Sequence, residues 1–121
     1  MEIKLKRIYD DSDKNDGSRF LVDRLWPRGV SKEDANLDDW LKGITPSSDL
    51  RKWFDHDPEK WDEFKSAYRE ELAANQDQLD KVIQKIKDKE KVTFLYAAKD
   101  TEHTHAIVLK DVIKERMQSS E

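Results

Sequence analysis

The run VTFLYAA, Val92 to Ala98, most constrains what this chain can fold into. It is an uninterrupted apolar stretch in a sequence of 121 residues of which 41% are charged. Such a run is typical of a strand that is buried on both faces of a parallel sheet. Because parallel strands need long crossover connections, usually helices, the run predicts an α/β fold.

Two further segments are predicted to be strands of the same sheet. Residues 2–9 alternate in period two and have the pattern of a half-exposed or edge strand. RFLVDRLW, Arg19 to Trp26, carries apolar residues on both faces, as a central strand does. Pro27 should end it, since proline cannot donate to a strand ladder. The polar run between the two strands predicts a loop, in which the carboxylates of Asp10, Asp11, Asp13 and Asp16 are expected to be solvated.

Helical patterns occupy the rest of the chain. The spacings predict a short helix around Leu37, Trp40 and Leu41, then a piece capped by Thr45 or Ser47 that runs to Phe54. Asp57-Pro58 begins a helix whose stripe of Trp61, Phe64 and Tyr68 is predicted to be core. Another helix should follow a break near Asn75 and Gln76, and a terminal helix through Met117 should be capped by Thr104 or Thr101.

The predicted fold class is therefore α/β: a small, mainly parallel sheet flanked by helices. The length suits a single domain, taken here as residues 1–117, with residues 118–121 as a disordered tail.

Composition excludes several classes of function. With no cysteine, the chain has no thiolate nucleophile, disulfide or cysteine metal site. A net charge of -4 disfavours nucleic acid and anionic membranes as partners. No run approaches the roughly 18 apolar residues of a membrane span, and the N-terminus lacks the apolar core of a signal peptide, so we expect a cytoplasmic protein.

Ligands of open parallel sheets bind beyond the carboxyl ends of the strands. Polar and aromatic side chains cluster where the three predicted strands end, and the terminal helix would add the positive end of its dipole. A small carboxylate or phosphate is the expected ligand, with no cofactor. The predicted ligand-binding residues are Arg7, Asp23, Arg24, Trp26, Arg28, Lys99 and His103, and His105 is the predicted acid or base.

Other interpretations stay open at this point. Asp23 and Arg24 could pair with neighbours, or with Arg7, purely to hold the strand ends in register. The three histidines, His56 among them, invite a metal site, but no acidic residue at metal-ligand spacing accompanies them, and none is predicted.

The tryptophans Trp40 and Trp53 could form a lid over the strand ends. Alternatively, residues 37–54 could make the chain an interaction module that contacts a protein partner or a second copy, without any catalytic activity.

The chain also resembles a known family. DGSRFLVDRLWPRG, LDDWLKGITPSSDLRKWF and TFLYAAKDTEHTHAIVLKDVI are similar to the bacterial YeaO-like proteins of domain-of-unknown-function family 488. The resemblance covers nearly the whole chain and implies a small cytoplasmic α/β protein, with no established activity to inherit.

One departure from the broad family limits the chemistry. Other branches carry a cysteine in a Cys-His-Arg-like sequence of the last strand-loop-helix, whereas Lys99 to His105 occupy that place here. The resemblance thus supports a site at the strand ends without supporting a covalent thiol mechanism.

Overall fold

The computed structural model, which describes residues 1–119, contains a parallel sheet with the strand order β1-β4-β2-β3. The strands are β1 (Glu2–Arg7), β2 (Ser18–Leu21), β3 (Asp39–Trp40) and β4 (Lys91–Tyr96). The segment VTFLYAA supplies β4, which pairs with β1 on one side and β2 on the other. The predicted α/β fold with a parallel sheet is confirmed.

Five α-helices accompany the sheet within residues 1–119: α1 (Lys32–Ala35), α2 (Ser48–Phe54), α3 (Trp61–Ala73), α4 (Gln76–Ile86) and α5 (His105–Ser119). Ser47 caps α2 through its hydroxyl, as expected, and Asp57-Pro58 begins a 3₁₀ turn that leads into α3. The Thr104 carbonyl accepts from the Ile107 N–H at 3.0 Å, so Thr104 stands at the start of α5. Residues 120–121 of the expected tail lie outside the described residues.

Strand β2 is shorter than the sequence predicts. It ends at Leu21, and after the Val22 N–H bonds the Leu95 carbonyl at 3.0 Å the chain leaves the sheet. The Asp23 side chain explains the early end, since its Oδ2 accepts the Ala97 N–H at 2.9 Å where a longer strand would have offered a carbonyl. The stretch VDRLWPRG is therefore a loop at the strand end.

The helix predicted around Leu37, Trp40 and Leu41 is wrong, because Asp39–Trp40 form strand β3 instead. The Leu41 N–H donates to the Leu21 carbonyl at 2.8 Å, and the Asp38 N–H donates to the Arg19 carbonyl at the same distance. Two residues are too few to display a strand period, so pairing with β2 overrides the helical spacing of the apolar side chains.

Both faces of the sheet are covered, as the apolar run predicts. Successive residues point to opposite sides: Phe20 and Phe94 join the larger core cluster, which also receives side chains from α2, α3, α4 and α5. Leu21 and Leu95 join a smaller cluster with Ala35 of α1. From the aromatic stripe of α3, Phe64 and Tyr68 are buried, and Trp61 packs half-buried against them. No helix in the described range is long and apolar enough to cross a membrane.

Asp16 corrects the expectation of a fully solvated loop after β1. Its carboxylate is buried, and it receives hydrogen bonds from Arg19 at 2.5 Å, Lys6 at 3.2 Å and Lys4 at 3.3 Å. Burial alone would raise the pKa of Asp16, but hydrogen bonds from the Asp13 N–H and these cations outweigh it and lower the pKa to about 2. Lys4 and Lys6 belong to β1 and Arg19 to β2, so the cluster links these two strands.

Candidate functional site

A cavity of about 920 Å³ lies at the carboxyl ends of β2 and β4, beside α2 and the beginning of α5. The strand order of the sheet explains this position. Both strands end there, and the loops that follow them leave in different directions, which opens a space beyond the strand ends. Seven of the eight predicted site residues line this cavity: Asp23, Arg24, Trp26, Arg28, Lys99, His103 and His105.

Arg7 is the predicted site residue that does not line the cavity. Its guanidinium donates to the carbonyls of Ala98 at 2.9 Å and Ala97 at 3.0 Å, and it stacks over the ring of Tyr9. Asp23 holds the same segment from the other side through the Ala97 N–H. Arg7 and Asp23 thus fix the end of β4 jointly, which gives them the structural role considered above without an ion pair between them.

Asp23 and His105 form the polar floor of the cavity. His105 Nε2 lies 2.7 Å from the Val22 carbonyl and 3.4 Å from Asp23 Oδ1. Burial lowers the pKa of His105, against the attraction of Asp23, and burial raises the pKa of the Asp23 carboxyl, against the attraction of His105 and the Ala97 N–H. At neutral pH the floor therefore holds an uncharged imidazole.

The hydrogen bond to Val22 assigns the tautomer of His105. A carbonyl can only accept, so Nε2 carries the proton and Nδ1 is an acceptor in the neutral ring. No buried side-chain nitrogen or oxygen of residues 1–118 lacks a hydrogen-bond partner. Nδ1 of His105 takes part in none of the observed hydrogen bonds, so it must be accessible to solvent. Because His105 lines the cavity, that solvent is the solvent of the cavity. The floor offers an acceptor to a ligand.

His103 is held by Asp100 on the loop between β4 and α5. Its Nδ1 lies 2.8 Å from Asp100 Oδ2, and its ring meets the edge of Trp61 at a centroid distance of 5.5 Å. A hydrogen bond from the Glu102 N–H and, to a smaller extent, one with the His103 ring lower the pKa of Asp100. Asp100 therefore stays ionised and orients the second imidazole of the cavity.

The cavity is rich in cations although the chain is acidic. Five lysines and arginines line it, against three aspartates. The cations are Arg24, Arg28, Arg51, Lys52 and Lys99. Across the described residues, none of these five forms an ion pair. The positive end of α5 points to the same place, so the cavity is suited to an anion.

Arg51, Lys52 and His56 were not predicted from the sequence. They reach the cavity because α2 lies over the strand ends, which no local pattern reveals. His56 and the preceding Asp55 both have positive φ, 55° and 46°, which non-glycine residues rarely adopt. Such strained positions concentrate at functional sites. Here the left-handed pair turns the chain from α2 back along the cavity wall.

Apolar side chains form much of the remaining wall. Phe54 and Phe64 line the cavity with rings stacked at a centroid distance of 4.3 Å. Leu25 also lines it and is 65% exposed, a high value for a leucine. Part of the lining is therefore aromatic and continuous with the core, and another part is an exposed leucine.

The expected tryptophan lid is not present, because neither Trp40 nor Trp53 lines the cavity. Trp40 is half-buried: its indole N–H donates to the Asp23 carbonyl, and its ring meets Trp26 edge-on at 5.4 Å. Trp53 is 40% exposed, with the Lys60 ammonium over its ring. Trp40 therefore holds the loop at the end of β2 from outside the cavity.

The histidines do not come together as a metal site. Within residues 1–119, no group of three or more histidine or carboxylate side chains is arranged to hold a metal ion. His103 is engaged with Asp100, and Nε2 of His105 with the Val22 carbonyl.

Comparisons with known proteins place this arrangement in a family. A family model described as "Inactive DUF488-N3 subclade" matches residues 2–121. The uncharacterised protein YeaO of Escherichia coli strain K12 is 46% identical over 114 residues, which are 94% of this chain and 98% of that protein. Uncharacterised proteins of Mycobacterium bovis and Mycobacterium tuberculosis are each 38% identical over 114 residues, or 94% of this chain and 95% of theirs. No solved structure matches the chain significantly.

Proposed function

Because the chain belongs to the inactive DUF488-N3 subclade, we propose that it binds a small anionic ligand at the carboxyl ends of its strands, without thiol chemistry. The family description and the lack of cysteine argue against a covalent mechanism. The proposed compartment is the cytoplasm.

One observation carries the proposal: five cations that form no ion pair converge on one cavity in a chain of net charge -4. The cations outnumber the three carboxylates of the lining, so a bound carboxylate or phosphate would balance the excess positive charge. Arginines suit this role, because the guanidinium fork matches both groups in two-point hydrogen bonds. The cavity volume also falls within the range of about 300–1,000 Å³ that small-molecule sites occupy.

Arg24 and Arg28 are the proposed primary contacts. They flank Pro27, which is buried and fixes the corner of the loop, so their backbones are held in place while their side chains are exposed. Lys99, from the end of β4, and Arg51, from α2, add charge from two other elements. A ligand bound among them would bridge three parts of the fold.

In this proposal His105 serves as a hydrogen-bond acceptor for the ligand and not as an acid. Its neutral ring presents Nδ1 as an acceptor, which suits a hydroxyl or amine of the ligand. A role for His105 as a general base stays a prediction, since a neutral imidazole is also the form that accepts a proton.

The test is a binding screen that compares anionic ligands with neutral ligands of similar shape. Thermal unfolding and calorimetry are measured with inorganic phosphate, sulfate, phosphate monoesters and carboxylates, and each organic anion is paired with a neutral analogue, such as benzoate with benzamide. We expect the anions alone to raise Tm, by about 4 °C for each kcal/mol of binding linkage. The rise should shrink at high salt, because salt screens exposed charges.

Variants locate the site. Arg24→Ala and Arg28→Ala should each weaken anion binding about tenfold or more, since each removes a charge-assisted hydrogen bond. Lys81→Ala is the matched control, because Lys81 is an exposed cation on α4 that does not line the cavity. Equal losses in all three variants would reject the site and leave only non-specific attraction.

A second candidate function is the interaction module. Trp53 is 40% exposed, an unusual state for a tryptophan, and it lies in the segment that suggested this role. If a protein partner or a second copy covers it, Trp53→Ala should abolish an association seen by light scattering. A chain that is monomeric up to high concentration would count against self-association.

A further inference from the structure

We infer that the ligand is an amphipathic anion, a carboxylate or phosphate carried on an apolar, ring-sized body. The inference rests on the proposed function and narrows the class of ligand. It concerns the apolar part of the cavity, which the argument from charge does not use.

Two arginines flank three apolar residues in one short loop of the cavity. Arg24, Leu25, Trp26, Pro27 and Arg28 follow one another in the chain, and all five line the cavity. A ligand whose anionic group reaches either arginine must therefore also lie beside apolar side chains of the same loop. An inorganic ion would meet only the charged tips and would leave Leu25 in water.

The exposure of Leu25 supports this reasoning. Its side chain is 65% exposed on the cavity lip, and it belongs to neither of the two core clusters. Single exposed leucines are common on protein surfaces, but this one faces a concave site. There it can be covered by an apolar ligand body, and covering it would add to the affinity.

Another part of the lining is aromatic. Phe54 and Phe64 line the cavity, yet they are only 6% and 2% exposed, so their accessible surface is a small patch of the core itself. Their rings stack on each other and, through Trp61, continue to His103. Leu25 and these rings therefore give the lining apolar surface from two separate segments of the chain.

The size of the cavity points the same way. Its volume of about 920 Å³ is far larger than an inorganic anion needs. Small-molecule sites of such volume cover most of the ligand surface and are lined mainly by apolar and aromatic groups, with a few placed polar ones. The lining has this composition: five cations from loops and α2, the polar pair Asp23 and His105, and several apolar and aromatic side chains.

Two pairs of probes test the inference by changing only the apolar body. Benzoate is compared with acetate, and phenyl phosphate with inorganic phosphate, by calorimetry at equal ionic strength. We expect the aromatic member of each pair to bind about tenfold more tightly, because it buries a ring that the other lacks. Equal affinities within both pairs would overturn the inference.

Leu25→Ser checks where the ring binds. It should reduce the ratio of benzoate to acetate affinity by about fivefold, since it removes one apolar side of the site. Trp53→Ala is the control, an exposed aromatic that does not line the cavity, and it should keep the ratio. A ratio that is the same in Leu25→Ser as in the native chain would also overturn the inference.

The two proposals fail in different ways. If none of the four probes binds, the proposed function fails, and the inference with it. If the anions bind through Arg24 and Arg28 without a preference for the ring, only the inference fails. If benzamide binds as tightly as benzoate and Leu25→Ser weakens both, the site is an apolar one and the anionic part of both proposals is wrong.

Discussion

The imidazole of His105 and the carboxylate of Asp23 lie 3.4 Å apart, but the proton on His105 Nε2 is donated to the backbone carbonyl of Val22 at 2.7 Å. The carboxylate in turn accepts the Ala97 N–H. The two side chains are thus coupled by charge, while each is held in place by the backbone of a different strand end.

This coupling predicts how His105 titrates. Because burial lowers its pKa and Asp23 opposes that effect, we expect the pKa of His105 to lie below the ordinary 6.5, and Asp23→Asn to lower it further. Titration of the imidazole signals by NMR measures both values. A pKa that rises in Asp23→Asn would show that the attraction assigned to Asp23 is wrong.

The buried cluster around Asp16 predicts a loss of stability in acid. The pKa of Asp16 is lowered from 3.8 to about 2 in the folded chain, so its contribution is present above pH 3.8 and is lost as the pH falls toward 2. That contribution is about 2 kcal/mol of the free energy of unfolding. Urea unfolding at a series of pH values between 5 and 2 measures it.

Substitution checks this assignment. Asp16→Asn should cost about 3 kcal/mol at pH 7, because it leaves Arg19 buried without its counter-ion. In this variant, the part of the stability loss at acid pH that comes from Asp16 should be absent. Asp11→Asn is the control, an exposed carboxylate in the same loop, and it should change stability by less than about 0.5 kcal/mol.

Two glycines with positive φ should respond differently to alanine. At Gly17, with φ 66°, an added Cβ would stand 2.3 Å from the Lys91 carbonyl oxygen, so the backbone at the start of β4 would have to move. We expect Gly17→Ala to cost about 3 kcal/mol or more. Gly29→Ala, with φ 80° and open space around it, should cost only about 1 kcal/mol. Thermal unfolding of both variants compares them, and equal costs would contradict the steric argument.

Arg7 should matter for stability more than for binding. Arg7→Met removes hydrogen bonds to two carbonyls at the end of β4, so we expect a loss of about 2 kcal/mol in the free energy of unfolding. Its effect on phenyl phosphate affinity should be smaller than that of Arg24→Ala, because Arg7 lies outside the cavity. Calorimetry on both variants decides this, and a larger loss in Arg7→Met would place Arg7 at the ligand.

Much of the candidate site could be predicted, because a single rule of parallel sheets places it. Once VTFLYAA is assigned to a buried strand, Lys99 and His103 must follow its carboxyl end, and the loop with Arg24 and Arg28 follows the neighbouring strand. No knowledge of side-chain contacts was needed for that step.

The parts that were missed depend on tertiary contacts. Strand β3 has two residues and exists only because β2 offers it hydrogen bonds, so its sequence keeps a misleading helical spacing. Arg51 reaches the cavity because of the way α2 packs over the strand ends. Asp16 looks like any loop aspartate until Arg19, Lys4 and Lys6 are brought around it. Each case depends on the packing of separate elements, which a local pattern does not encode.

The strand order β1-β4-β2-β3 also bears on how the chain is made. Strand β4 (Lys91–Tyr96) separates β1 from β2, so the chain through β4 must leave the ribosome before the first two strands can be joined. Until then, the nascent chain can form helices and the short pairing of β2 with β3, but β1 has no strand to pair with, because its partner is β4. Arg7 and Asp23, which grip the residues just beyond β4, can act only after that insertion. The cavity therefore cannot be completed before β4 has been synthesised.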